Sequence, residues 1–131
     1  MAYTGTGINT SATIVEAAGA AADFRGKAVK YDENGKIVLA GAGEVAIGVG
    51  IITNAEESKV GEDVDIQVKE IGLGLAGGAI TKGAELAADA QGKLVKATAG
   101  QFVIGVALDS ATAAGKYIKM QIVKYHSAAQ A

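Results

Sequence analysis

Residues 26–49, GKAVKYDENGKIVLAGAGEVAIGV, align without a gap on residues 83–106, GAELAADAQGKLVKATAGQFVIGV. Identities fall at Asp32/Asp89, Gly35/Gly92, Lys36/Lys93, Val38/Val95, Gly43/Gly100, Ile47/Ile104, Gly48/Gly105 and Val49/Val106. After a small gap the match resumes, with GEDVDIQVK (61–69) lying against GKYIKMQIV (115–123). So dense a self-match means one supersecondary unit of about fifty residues used twice, and a fold whose stability rests on how two like units bury their apolar faces. The pseudo-repeats span 26–69 and 83–123, and they should superpose, each closing part of one barrel or sandwich, because open strand edges of this length invite aggregation.

Within each copy the local signals are strand signals. Asn34-Gly35 and Gln91-Gly92 sit between short apolar runs, where a tight hairpin needs residues that tolerate positive φ. The runs Val45 to Ile52 and Phe102 to Leu108 are rich in β-branched residues and interrupted by Gly48 or Gly105, which reads as a strand with a bulge or a close backbone approach. Loops follow at Thr53 to Lys59 and Asp109 to Ala114. Then Val64, Ile66 and Val68 alternate with Asp65, Gln67 and Lys69, and Ile118, Met120 and Ile122 recur at the same period of two, giving one buried and one wet face. The stretch Ile71 to Ile80 reads as a strand joining the halves. The first 25 residues share none of this pattern; they read as an extended arm with a short strand at Ala12 to Val15.

Composition narrows the class. Half of the 131 residues are apolar, carried by Ala, Val, Ile and Leu, with no Trp and Phe only at positions 24 and 102. Nineteen glycines and no proline leave the turns to Gly, Asn and Asp. A net charge of −2 with both signs interspersed offers no basic stripe for phosphates, so no direct nucleic-acid partner is expected. Without cysteine there is neither a disulfide framework nor a thiolate zinc site. No apolar run reaches membrane-spanning length, and the N-terminus lacks the pattern of a signal peptide, so no membrane partner is expected and the chain is read as made and kept in the cell interior.

Candidate chemistry is sparse. Gly72-x-Gly74-x-x-Gly77 matches the dinucleotide fingerprint and Gly41-x-Gly43-x-x-Ala46 does so loosely, but neither precedes a helical pattern that could aim its N-terminus at a pyrophosphate. His126 is the only histidine, with no second ligand type near it in sequence. Glu56-Glu57 and Glu62-Asp63 are adjacent acids on loops, which are solvated charge rather than a tuned pair. Lys119-Met120 resembles the modified lysine of biotinyl or lipoyl carriers, yet it falls inside an alternating strand, where those carriers use a hairpin tip. No catalytic residue, cofactor or metal is expected.

As an ordered set, Gly26 to Val49, GEDVDIQV (61–68), LAGGAITKGAELAADAQGKLVKATAG (75–100) and FVIGVALDSATAAGKYIKMQI (102–122) resemble the small capsid cement, or head decoration, proteins of tailed bacteriophages. The resemblance implies an all-β, barrel-like domain on the outside of the phage head, made in the bacterial cytoplasm, commonly trimeric, reinforcing contacts between major capsid protein subunits. The expected organisation is an extended N-terminal arm (1–23), a β-barrel or sandwich domain (24–125) and a short tail (126–131). The arm, with the β-branched Thr13, Ile14 and Val15, is the expected capsid-binding element, able to add a strand to an open sheet edge. On this reading, deleting residues 2–22 leaves the barrel folded and weakens attachment. Other readings are a tail or collar component of the virion, or a carrier module.

Overall fold

The computed structural model describes residues 11–53 and 55–127. Ten strands and no helix occur among them: β1 (Thr13–Ala17), β2 (Ala28–Tyr31), β3 (Ile37–Leu39), β4 (Gly48–Gly50), β5 (Asp63–Gln67), β6 (Glu70–Leu75), β7 (Glu85–Ala88), β8 (Leu94–Lys96), β9 (Phe102–Ala107) and β10 (Tyr117–His126). They form two five-stranded antiparallel sheets in the orders β1-β5-β4-β2-β3 and β6-β10-β9-β7-β8. The second order is the first with each strand replaced by its repeat counterpart. The all-β expectation holds, and so does the duplication.

The duplication reaches further back than the sequence match. β1 pairs with β5 from Thr13↔Gln67 to Ala17↔Asp63, as β6 pairs with β10 from Glu70↔Ile122 to Leu75↔Tyr117. Just beyond, Ala18 forms a single parallel bridge to Ile37, and Ala76 forms the same bridge to Leu94, so the first strand of each sheet runs into its last and the sheet curls toward closure. The expected boundary at residue 23 therefore does not divide arm from domain. Thr13–Ala17 is the first strand of the first module, and Ile14 and Ala18 pack into that module's core. Residues 1–10 of the expected arm, and 128–131 of the expected tail, lie outside the described residues.

Each hairpin is held by its aspartate. Asp32 Oδ1 accepts hydrogen bonds from the backbone N–H groups of Asn34 (2.8 Å) and Lys36 (2.9 Å), and Asp89 Oδ1 accepts from Gln91 (2.8 Å) and Lys93 (2.9 Å). The glycine that follows closes the turn. The hairpin loop is thus Asp32 to Lys36, wider than a two-residue Asn-Gly turn, because the carboxylate organises the backbone amides itself.

Five positions build the same core twice: Ala18/Ala76, Val29/Leu86, Ile37/Leu94, Val64/Ile118 and Ile66/Met120, all buried. Phe24 adds the one large aromatic of the first module's cluster. Burying the valine, leucine, isoleucine, methionine and phenylalanine among them stabilises by roughly 1.5–3 kcal/mol each, and the alanines by less. The second module's cluster also takes in Ala28, Ala40, Ala46 and Val49 of the first, so the two modules share an apolar seam. Four backbone hydrogen bonds cross it: Leu75 N–H to Gly26 O (2.7 Å), Ala28 N–H to Gly92 O (2.7 Å), Gly43 N–H to Ala88 O (3.0 Å) and Phe102 N–H to Gly43 O (3.2 Å).

Candidate interaction surface

The register of β1 decides where its polar backbone points. In an antiparallel pair, alternate residues exchange hydrogen bonds and the intervening amides face the other way. Ala18 N–H reaches Glu62 O (2.9 Å) and Val68 N–H reaches Ala12 O (2.8 Å), so the even-numbered residues bond to β5. The amides of Thr13, Val15 and Ala17 face the opposite edge; there the Thr13 N–H donates to Ser11 Oγ (3.2 Å), the end of β1 is bridged to β3 through Ala18 and Ile37, and no strand lies beside Val15 among the described residues. β6 has the same alternation, and there Leu75, the counterpart of Ala17, uses its outward N–H to cross the seam to Gly26.

Side chains on this edge divide by face. Ile14 points inward against Val64 and Ile66 and their neighbours, whereas Val15 is 56% exposed and Thr13 is exposed. Ser11 Oγ lies 3.2 Å from Thr13 Oγ1. Of the three residues expected to bind the capsid, Thr13 and Val15 therefore present themselves outward and Ile14 holds the strand down.

The counterpart edge, β6, opens on a cleft of about 380 Å³ at the seam, walled by Ile51, Ile52, Ile71 and Leu73 with Gln67 at its base. Ile71 (57%) and Leu73 (43%) stand exposed at its lip. The Gln67 carboxamide donates to Lys69 O (3.0 Å) and Ile71 O (2.8 Å), so its donor capacity is committed to holding the β5–β6 connection. These walls carry no acid, base or nucleophile; what they offer is apolar area beside a strand edge.

Elsewhere the polar groups do structural work. Asp23 forms a paired contact with Arg25 (Nε to Oδ1 3.0 Å, Nη2 to Oδ2 2.9 Å), and the hydrogen bond from Arg25 holds the Asp23 carboxyl below its usual range. Lys30 Nζ sits 2.8 Å from Glu44, which its hydrogen bond likewise depresses. Tyr31 donates to Glu16 across the mouth of the first module, raising the phenol, and Tyr125 does the same with Glu85 (2.7 Å). Asp23 and Arg25 are two residues apart; the sequence signalled none of the other pairs, because their partners are brought together only by strand order.

The other singled-out residues are scattered. His126 ends β10 with its ring edge-on to Phe102, centroids 5.4 Å apart. Glu56 and Glu57 are exposed, and Glu62 accepts the Lys59 N–H (2.6 Å) in a turn. Lys119 lies mid-strand opposite Leu73. Gly72 and Gly74 are in β6 and Gly77 just past it, with no helix following. The loops at Thr53 to Lys59 and Asp109 to Ala114 are tied down by paired bridges, Ala22↔Ser58 and Ile80↔Ala111.

Three comparisons bear on this surface. The family described as phage cement protein matches residues 33–122, which includes β6 and the cleft and leaves out β1. A search of curated proteins finds no match. Among solved structures, the N base of the head fiber gp8.5 of bacteriophage phi29 has the same fold, with a TM-score of 0.64 over 85% of this chain and 92% of that one, at 18% identity.

Proposed function

This chain belongs to the phage cement protein family and has a structural, decorating role on the phage capsid; from that premise we propose that it binds the outer face of the head shell as a homotrimer and bridges neighbouring major capsid protein subunits. The observation that carries the contact is the open edge of β1 at Val15, whose amide turns outward beside its own exposed side chain, between a Thr13 amide capped by Ser11 Oγ (3.2 Å) and the Ala18–Ile37 bridge. A strand of the shell added there gains main-chain hydrogen bonds for affinity and a side-chain pocket for register. The apolar lip of the seam cleft, Ile71 and Leu73, offers a second patch of the kind that marks interaction sites. A protein that binds only the assembled shell disfavours its disassembly by mass action, so reinforcement needs no chemistry. Catalysis has no part in this reading.

The test is decoration of purified expanded heads lacking this protein, followed by co-sedimentation. The wild-type chain should bind to saturation, and Val15→Asp should bind at least tenfold more weakly while melting within a few degrees of wild type. Heads left bare by the wild-type chain would overturn the reading. Equal binding by Val15→Asp would move the contact to the cleft lip, where Leu73→Asp is the matching variant.

A further inference from the structure

No charged residue lines the seam cleft, and its volume of about 380 Å³ stands at the small end of ligand pockets, which run from about 300 to 1,000 Å³. It has room for one large side chain. The carboxamide of Gln67 at its base has a fixed orientation. Lys69 O and Ile71 O are carbonyl oxygens that only accept, so the amide nitrogen must face them, at 3.0 Å and 2.8 Å. The amide oxygen is thereby turned away from them, beside Gly72, where an added Cβ would lie 2.5 Å from it. Among the described residues nothing donates to Oε1, and it stays open to solvent. The cleft thus combines apolar walls with one oriented acceptor.

We propose that this cleft seats a single aromatic side chain that carries a donor, a tryptophan or tyrosine of the major capsid protein, with its ring against Ile71 and Leu73 and its N–H or O–H on Gln67 Oε1; the shell as the source of that side chain rests on the decoration reading above. The side chains that dominate protein–protein contacts are tryptophan, tyrosine and arginine. Arginine does not suit this site, because no carboxylate lines it and the guanidinium would give up its water for nothing. Leucine or phenylalanine would fill the walls but shut Oε1 away from water without a partner, the costlier side of a hydrogen bond. Tryptophan and tyrosine bring both the apolar area and the donor, with few rotamers to freeze.

The position of the cleft makes it continuous with the shell contact at Val15. Gln67 pairs with Thr13 and Asp65 with Val15, and directly paired residues share a face of the sheet. The base of the cleft therefore lies one strand in from the β1 edge, about 5 Å, so that one shell protein can supply both the added strand and the aromatic anchor. The repeat shows that the acceptor is particular to the seam. Gln121 holds the same repeat position as Gln67, pairing with Ile71 as Gln67 pairs with Thr13, yet it is exposed and lines no cleft. Gly72 in turn stands where the first module has Ile14, which packs into that module's core. At Gly72 the side chain is given up and the Gln67 carboxamide takes the space.

Titration of the isotope-labelled full chain with N-acetyltryptophanamide, followed by NMR, tests the chemistry without heads. Amide shifts should saturate in the millimolar range and cluster at Ile52, Ile71, Gly72 and Leu73. The N1-methyl derivative, which keeps the ring and loses the donor, should bind roughly fivefold more weakly, and N-acetylleucinamide more weakly again. Leu73→Asp should abolish the shifts with an unchanged circular dichroism spectrum, and Gln67→Met should bind the tryptophan amide and its methyl derivative alike. Equal binding of those two probes by the wild-type chain, or no saturable shift at all, overturns the proposal whatever the variants do. The source is tested on expanded heads, where saturating N-acetyltryptophanamide should weaken decoration roughly threefold; decoration that is indifferent to it overturns the shell as the source. Heads left bare by the wild-type chain would sink the decoration reading and the shell with it, while the pair of probes still decides what the cleft accepts.

Discussion

Asp23 and Glu44 show what single residues contribute. Both carboxyls are held below their ordinary range by a hydrogen-bonded cation, so their stabilisation is present above about pH 4 and is lost as the pH falls through the depressed values. Asp23→Asn should therefore melt below wild type at neutral pH, and the gap should close on acidification; thermal melts across pH 2–7 check this, and a gap that widens in acid would contradict it. The seam glycines give a sharper comparison, because Gly26 and Gly83 occupy the same repeat position with φ of 69° and 92°. Alanine at either carries the cost of a left-handed backbone, about 1–2 kcal/mol. At Gly26 the added methyl also meets the Tyr117 ring at 2.7 Å and the Leu75 amide at 3.0 Å, so Gly26→Ala should lose about 1–3 kcal/mol more than Gly83→Ala in urea denaturation. Residue identity alone made the repeat legible at Gly35/Gly92 and Gly48/Gly105. It could not say which glycine of each pair faces the other module, since that depends on an interface the alignment treats as two equal halves.

At the scale of elements, the clearest reading was the alternation in β5 and β10, where Val64, Ile66, Ile118 and Met120 are buried as their period of two requires. β1 was the least legible. TIVEA and EIGLGL share little beyond one isoleucine, and the chain between each strand and its hairpin differs in length by a residue, so the strand that starts each module broke the self-match. Its β-branched residues gave the short strand expected at Ala12 to Val15, but five residues are too few to show which strand pairs with it, and that partner is β5. The consequence for truncation is a reversal of the sequence-based expectation. Deleting residues 2–22 removes β1, strips Ile14 and Ala18 from the core and bares the edge of β5. This truncation should lose its cooperative transition or precipitate; if it melts like the full chain, β1 is dispensable and the first module is held by four strands.

For the whole molecule, two five-stranded modules joined head to tail make the order of strands a matter of timing. β1 cannot complete its ladder until β5 exists, roughly fifty residues later, which at about 5–20 residues per second leaves it unpaired for several seconds on the ribosome. β6 waits as long for β10, but it follows β5 within three residues and its outward amide at Leu75 meets a Gly26 carbonyl already fixed in space, so the second module has a surface to form against. The first module thus serves as the mould for the second. A chain released after Lys69 would hold a finished mould with nothing cast in it, presenting Ala28, Ala40, Ala46 and Val49 to water. Such a fragment should be recovered in inclusion bodies and not as a soluble half, while the full-length product of the same message stays in solution.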